Sequence, residues 1–244
     1  MLFLGIDFGW MGKPTGLAAL SWDGSALRLA AMERRTGLVD VLRFVDRHAK
    51  ERPAMIAVDA PTVIPNPTGM RDCDRLMHHH FGKFHAGAYP ANLGRPHAAN
   101  TVELGRELEE RGFVHAAQID PRSKGRFQIE VHPHAATVEL FHLPRILKYK
   151  KGLLAERRKE LARYRTLLLE RLPQLAPPVG DLELPSIPST GLELKTVEDQ
   201  MDAVLCAYIG AHWWFWGRTR NLVCGSNESG YIVVPLGRAA DRVD

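Results

Sequence analysis

The sequence predicts an α/β fold with a mixed central sheet flanked by helices, and the order of its first elements carries this prediction. Three short strands come first, at residues 2–6, 17–22 and 26–32, and the hairpin dipeptide Asp23-Gly24 joins the last two into an antiparallel meander. A helical pattern then leads to a fourth strand at residues 55–60. Since a helical crossover makes strands parallel, we expect the fourth strand to lie beside the first.

The first strand is a short apolar run that ends in a carboxylate, Asp7. A carboxylate inside a core strand loses its hydration, so a metal, a hydrogen-bond network or a counter-charge must compensate. A capped strand end, with Asp7 accepting amide hydrogen bonds in the following turn, is the simpler interpretation. The fourth strand also ends in a carboxylate, Asp59. Two neighbouring parallel strands can therefore present both groups to one point.

The crossover helix takes its apolar face from the spacing of Leu38, Val41, Leu42 and Val45, and Thr36 is its expected N-cap. Residues 61–125 are irregular, with short helices predicted at 69–81 and 101–111. Asn100 and Glu103 resemble a capping box before the second of these helices. The histidine-rich block at 78–85 could bind a metal, but consecutive helical side chains diverge by about 100°, which favours a solvated edge.

The next strand alternates cleanly over residues 126–131, and Glu130 and His132 are predicted to share its polar face. That face is either solvated or part of a site. A helix follows at 134–142, and then nine Lys or Arg residues stand against two Glu residues between positions 145 and 165. We expect an amphipathic helix there, with a basic outer surface and a buried stripe. The stripe consists of Leu154, Leu161, Leu168 and Leu172.

The last strong element is a helix at residues 197–216, with Thr196 as its expected cap. Asp199 and Asp202 stand three residues apart in its predicted first turn and so face the same side. Acidic residues at a helix start also suit the helix dipole, which would be sufficient for Asp199 alone. A short edge strand is predicted at residues 230–235.

Length and composition bound the class of protein. We expect the 244 residues to form a single domain, with an irregular insertion at about 61–125 and a Pro-rich connection at about 173–195. No apolar stretch approaches twenty residues, and the three cysteines include no C-x-x-C pair. These features predict a cytoplasmic protein that does not span a membrane. The net charge of +4 permits a polyanionic partner; the oligomeric state cannot be read from the sequence.

The predicted carboxylates match the needs of two-metal phosphodiester chemistry. Two Mg²⁺ or Mn²⁺ ions about 3.5–4 Å apart require three or four carboxylates to hold them. Asp7 would bridge both ions, with Asp59 and Glu130 on one side. Asp202 would lie on the other side, with Asp199 as an alternate ligand.

Three further positions complete the predicted site. His132 is a candidate proton shuttle beside the metal ligands. The candidate phosphate contacts are Arg71 and two lysines of the cluster at residues 148–151, Lys148 and Lys150. Nucleic acid or a phosphorylated small molecule is the expected partner.

This layout resembles the ribonuclease-H-like superfamily, and D-Q-M-D-A at 199–203 is similar to the D-x-x-D-A motif of Holliday-junction resolvases within it. Six ordered motifs together resemble the DUF429 family of predicted nucleases: G-I-D-F-G, V-D-A-P, E-V-H-P, Y-K-K-G, D-Q-M-D-A and G-Y-I-V-V-P. The resemblance implies a three-layer ribonuclease-H-like fold and a metal-dependent nuclease that acts on DNA or RNA.

Two other functions compete with the nuclease. A non-catalytic nucleic-acid-binding module would use the basic region as its surface and keep the acids as a structural network. A phosphotransferase of the actin and sugar-kinase group also begins with a D-x-G strand turn. That architecture normally needs two such domains, and the chain has no Walker-type phosphate loop.

Overall fold

A seven-stranded sheet is the centre of the computed structural model, which describes residues 1–237. Its strands are β1 (Leu2–Asp7), β2 (Thr15–Trp22), β3 (Leu27–Arg35), β4 (Ala54–Val58), β5 (Val114–His115), β6 (Arg126–Glu130) and β7 (Val179–Gly180). Their spatial order is β5-β6-β4-β1-β2-β3-β7. β2 runs antiparallel to β1 and β3, whereas β4 runs parallel to both β1 and β6. The predicted meander and the parallel pairing of the first and fourth strands are confirmed.

Helices cover both faces of this sheet and complete three layers. They are α1 (Leu38–Ala49), α2 (Asp72–Phe81), α3 (Ala98–Glu110), α4 (Pro133–Phe141), α5 (Leu154–Arg171) and α6 (Gly191–Trp216). Apolar residues of α1 and α3 form one core with one face of the sheet. Those of α4, α5 and α6 form a larger core with the opposite face. The predicted mixed α/β fold, a sheet flanked by helices, is confirmed.

Two glycines bring α6 unusually close to the sheet. A Cβ atom built on Gly5 of β1 would lie 1.9 Å from the backbone oxygen of Ala203, and one on Gly16 of β2 would lie 1.9 Å from that of Asp199. Because no side chain fits in either place, the helix backbone lies directly on β1 and β2. This contact fixes where the acidic part of α6 meets the sheet.

The helix starts differ from the predicted caps. Gly37, and not Thr36, precedes α1, and α3 begins at Ala98, so Asn100 lies inside the helix. The start of α6 was predicted too late: Thr190 caps it, and its hydroxyl accepts a hydrogen bond from the Glu193 backbone N–H at 3.3 Å.

The acids of α6 are therefore interior residues of the helix. Asp199 lies eight residues after Gly191, more than two turns from the helix start. Asp202 lies further along still. Placement in the first turn was wrong for both residues, and the helix dipole does not account for them.

Two more predictions need correction. The strand predicted at 230–235 is β9 (Gly230–Pro235), but it pairs with a strand that the sequence did not reveal, β8 (Asn221–Ser226). All of β9 is buried, and one isolated bridge between Val131 and Val233 connects it to the central sheet, so it is not an exposed edge. In α5, Leu154 is 41% exposed, and Tyr164 takes a place in the buried stripe.

Two observations concern the predictions about a membrane-spanning segment and about the cysteines. Among residues 1–237, none of the helices has the combination of length and apolar character that a bilayer crossing needs. Cys73, Cys206 and Cys224 are buried and carry free thiols.

Candidate functional site

Asp7 and Asp59 lie side by side at the carboxyl edge of two parallel strands. Ile6 pairs with Val58, and the backbone N–H of Asp59 donates to the carbonyl of Ile6 at 2.8 Å, which continues the ladder by one residue. Because adjacent residues of parallel strands point to the same face, both carboxylates project toward the face that α6 covers. The sequence prediction that these two strands present their acids together agrees with this arrangement.

Glu130 is the last residue of β6 and lies opposite Val58, one residue before Asp59. Its side chain therefore points to the face of the sheet opposite to that of Asp7 and Asp59. It pairs with Val58, whose side chain packs in the core beneath α1 and α3. There both of its carboxylate oxygens accept from Arg71, at 2.6 and 2.7 Å. Burial raises the pKa of Glu130 to about 7, although Arg71 acts in the opposite direction. The register thus turns Glu130 to the other face of the sheet, although Glu130 lines the same cleft as Asp7 and Asp59 and the charge of Asp59 adds to the rise in its pKa.

Arg71 has no group left over for a phosphate. Its side chain is 1% exposed and also binds Asp74, at 2.8 Å, on the first turn of α2. The same arginine donates to the backbone carbonyl of Val63 at 3.0 Å. The structure gives Arg71 a pair of buried carboxylates in place of the phosphate that the sequence predicts.

Asp202 lies beneath Asp7 and Asp59 and is completely buried. The Tyr149 hydroxyl donates to its Oδ1 at 2.8 Å, and the ammonium of Lys150 lies 2.9 Å from its Oδ2. Burial alone would lower the pKa of Lys150, but Asp202, Asp7 and Asp59 together raise it well above its usual value. One ammonium therefore serves three carboxylates, and we call these three, Asp7, Asp59 and Asp202, the acid cluster.

Asp199 lines the same cleft as Asp7 and Asp59, but it is already paired with two other cations. Arg34 of β3 donates to its Oδ2 at 2.8 Å, and the Lys195 ammonium lies 2.7 Å from its Oδ1. Lys195 also lies 2.5 Å from Glu198. The small residues of α6 bring the Asp199 backbone against β2, but the carboxylate itself is already paired twice.

Asp7 and Asp59, the two members of the acid cluster that line the cleft, differ in the direction of their pKa shifts. Burial raises the pKa of Asp7 well above its usual range; Lys150 opposes this, and the carboxylates of Asp202 and Asp59 add to it. Burial acts in the same direction on Asp59, but the nearby His132 imidazole and the charge of Lys150 outweigh it and lower its pKa. His132 Nδ1 lies 3.9 Å from Asp59 Oδ1. The pKa values of these two neighbouring carboxyl groups are thus shifted in opposite directions.

The acid cluster opens into a cleft of about 530 Å³. Asp7, Asp59, His132 and Lys150 all line it. Lys148 does not: it is exposed and lines a separate hollow beside the start of α5. Of the two predicted phosphate-binding lysines, only Lys150 therefore lies at the acid cluster.

The acid cluster suits a cation by charge but not by its present geometry. Three carboxylates face a single ammonium, so ionisation of all three leaves an excess of two negative charges for a divalent ion to balance. His132 Nε2 is buried without a hydrogen-bond partner among the described residues. Within residues 1–237, however, no three His, Cys, Asp or Glu side chains come together closely enough to hold a metal. Lys150 must withdraw before these oxygens can converge on an ion.

Sequence reasoning missed most partners of these acids. Arg34, Asp74 and Lys195 were not singled out, and Tyr149 was noted only as part of a basic cluster. Tyr149 adjoins Lys150 in the chain, and both side chains reach Asp202. The other partners lie up to 165 residues away in the chain, as Arg34 does from Asp199.

Comparison with models of protein families gives a match over most of the chain. A family model described as a protein of unknown function, DUF429, matches residues 5–225. That span includes every member of the acid cluster. None of the curated proteins compared with the chain matches it.

Proposed function

The chain belongs to the DUF429 family, whose description names no activity, and we propose that it is a metal-dependent nuclease. Its reaction would be hydrolysis of a phosphodiester bond of DNA or RNA at the acid cluster. The observation that carries the proposal is the shortage of positive charge there, where one ammonium faces three carboxylates at the floor of an open cleft.

Asp7, Asp59 and Asp202 would hold Mg²⁺ or Mn²⁺ after Lys150 withdraws. Such an ion supplies an activated water and charge stabilisation for the leaving oxygen. The three carboxylates of the cluster are the fewest that two ions need, and the other predicted ligands, Glu130 and Asp199, are held by their present cations. The supporting geometry is therefore stronger for one ion than for the predicted two.

The chain's own groups have separable tasks in this proposal. His132 lies next to Asp59 with its Nε2 unpartnered, which suits it to move a proton at the cleft surface. Lys150, once released from Asp202, would lie in the cleft as a phosphate contact. Arg71 and Glu130 would support the strand ends from the opposite face.

The decisive experiment compares Asp7→Asn with the unaltered protein in cleavage of labelled single-stranded and duplex DNA and RNA with MnCl₂. We expect Asp7→Asn to abolish Mn²⁺-dependent cleavage, because Asp7 is a cluster carboxylate that lines the cleft. We also expect its melting temperature to stay the same or rise, since burial disfavours the charged form of Asp7. Asp181→Asn is the matched control, because the Asp181 side chain is 90% exposed on the far side of the sheet.

Two results would count against the nuclease. Equal cleavage by the Asp7→Asn and Asp181→Asn proteins would assign the activity to a contaminant. No cleavage by the unaltered protein, with any of the four substrates and either metal, would remove the catalytic proposal.

A non-catalytic nucleic-acid-binding module is the second candidate, and a specific observation favours it. Lys150 already pairs with Asp202, so part of the charge of the acid cluster is balanced within the protein, as in a structural network. Thermal unfolding separates the candidates, since a ligand that binds only the folded state raises its stability by about 2.7 kcal/mol at a hundredfold excess over Kd. An unchanged melting temperature in MnCl₂, with nucleic-acid binding retained in EDTA, favours the module.

A further inference from the structure

Two aromatic rings lie beside the acid cluster in the same cleft. Trp10 follows β1 by three residues in a short 3-10 turn (Trp10–Gly12), so its place is tied to that of Asp7. Tyr89 comes from the long loop between α2 and α3 and is 58% exposed. The two ring centroids are 6.1 Å apart, with the planes at 65°. Trp10 packs part of its surface against the core beneath α1 and α3, and the two rings together form an aromatic rim on the cleft.

The rings are held firmly from the protein side. The imidazole of His97 stacks on Trp10 at 4.1 Å and 28°, and His97 itself is 4% exposed. The guanidinium of Arg95 lies 5.2 Å from the centre of the Tyr89 ring. An aromatic ring fixed on one side and open to a cleft on the other is a preformed surface for a flat ligand.

Cations without acidic partners lie on the same cleft. Lys13 and Lys151 both line it, and both are exposed. Neither forms an ion pair with any residue in the described part of the chain, unlike Lys150 and Lys195. Free ammonium groups beside aromatic rings are the combination that binds a strand of bases and phosphates.

We infer that an unpaired nucleobase stacks on Trp10 and meets the Tyr89 ring at its edge, with its flanking phosphates on Lys13 and Lys151, so that the ligand of this cleft is a single strand of nucleic acid. This inference rests on the proposed function, because it concerns the same site. It narrows the proposed substrate to single-stranded nucleic acid. Within a duplex the face of each base is covered by its neighbours, and only an unpaired base can lie on a protein ring. The cleft volume of about 530 Å³ is within the range of pockets that hold one small ligand unit.

The test measures binding and not cleavage. Fluorescence anisotropy of labelled oligothymidylate is recorded with the full chain in EDTA, beside a labelled hairpin duplex and unlabelled thymidine monophosphate as competitor. We expect the single strand to bind more tightly than the duplex, and Trp10→Ala to weaken it between about 5-fold and 150-fold, the range for loss of one stacked base. Trp10→Phe, which keeps a ring, should retain most of the affinity.

Trp216→Ala is the matched control, since Trp216 is also partly exposed and has a cation, Arg220, over its ring but lines a different hollow. Equal weakening by the Trp10 and Trp216 variants, or equal affinity for strand and duplex, would overturn the inference. Competition by the monophosphate at the affinity of the strand would overturn the assignment to a strand. Because the assay contains EDTA, an inactive nuclease leaves it unaffected, and a failed stacking test leaves the Asp7→Asn comparison intact.

Discussion

Arg71 shows how much one buried side chain supports. It binds Glu130 with two hydrogen bonds and Asp74 with a third contact, all with little exposure to water. A buried charge without a partner costs far more than a surface charge, because no water replaces the missing contact. Arg71 therefore joins the start of α2 to the end of β6, directly behind the acid cluster.

Replacement of Arg71 should destabilise the protein strongly. Arg71→Ala leaves two buried carboxylates without their cation, and we expect a loss of about 3–5 kcal/mol in the free energy of unfolding. Arg75→Ala, one turn further along α2, removes an ion pair between side chains that are 59% and 66% exposed, and should cost about 0–1 kcal/mol. Urea denaturation of both variants measures the difference. Equal losses would mean that the buried network adds nothing.

Lys150 is the second residue whose removal is informative. Lys150→Met leaves Asp202 without its ammonium, so we expect a lower melting temperature without metal. If the ammonium occupies the place of a metal, MnCl₂ should then raise the melting temperature more in Lys150→Met than in the unaltered protein. The adjacent Lys151→Met is the control, since Lys151 is exposed and has no acidic partner among residues 1–237. An equal rise in melting temperature with MnCl₂ in the unaltered, Lys150→Met and Lys151→Met proteins would contradict the idea that the Lys150 ammonium occupies the place of a metal.

At the scale of elements, the close packing of α6 on β1 and β2 positions the site. Gly16 pairs with Asp7 and lies under the backbone of Asp199, so one residue connects the strand, the helix and two of the predicted acids. The helix backbone cannot move aside without carrying Asp199 and Asp202 with it. The separation of sheet and helix thus sets the separation of Asp7 and Asp202.

Gly16→Ala should be one of the most damaging small substitutions in the chain. Its Cβ would lie 1.9 Å from the Asp199 carbonyl oxygen, and because that atom belongs to the backbone, α6 must shift. We expect a loss of about 3 kcal/mol or more in the free energy of unfolding. Gly82→Ala is the matched control, because nothing lies within 4 Å of its Cβ and its backbone is helical. That variant should be neutral or slightly stabilised, and similar losses in both would refute the packing argument.

At the scale of elements, sequence reasoning succeeded where the residues that determine a structure lie close together in the chain. The hairpin at Asp23-Gly24 and the crossover through α1 depend on neighbouring residues, and both were predicted correctly. The start of α6 was missed because T-V-E-D at 196–199 resembles a capping box as closely as T-G-L-E at 190–193, where the helix in fact begins. Local chemistry does not distinguish two such starts; the packing of residues 191–196 does.

The site was predictable only in part for a related reason. Alternation placed Asp7 and Asp59 at strand ends, but not the relative register of β4 and β6, and one residue of register turns Glu130 to the other face. Two cation partners could not be read from the sequence, because Arg34 and Arg71 reach Asp199 and Glu130 through tertiary contacts, whereas Lys195 lies one helical turn before Asp199. Spacing in a sequence gives the donors of a site, but not the counter-charges around them.

At the scale of the whole molecule, buried titratable groups far from the site control the response to pH. His115 and His212 are buried, and desolvation lowers the pKa of each to about 4. His212 Nδ1 lies 2.8 Å from Asn221 Oδ1, and Asn221 donates its own amide to the Gly217 carbonyl, so the neutral tautomer with Nδ1–H fits this site. Both imidazoles are neutral in the folded state and become ionised on unfolding below pH 6.5.

The protein should therefore lose stability as the pH falls from about 6.5 to about 4. In that window the unfolded chain binds more protons at these histidines, which favours unfolding, by up to about 3 kcal/mol for each group. Glu130 acts in the opposite direction: its pKa of about 7 means that the folded state holds the extra proton, so its effect reduces stability as the pH rises from about 4.5 to about 7. Two histidines outweigh this glutamate over the shared interval, so these three groups together give a positive slope.

Urea denaturation between pH 4.5 and pH 6.5 measures this slope, and His212→Gln should flatten it because glutamine keeps a hydrogen-bonding group without a titration. His79→Gln is the control, since His79 is exposed on α2 and its removal should leave the slope as it is. A free energy of unfolding that rises on acidification would assign the dominant role to buried carboxyls such as Glu130. An unchanged slope in His212→Gln would remove His212 as a cause while leaving His115 to be tested in the same way.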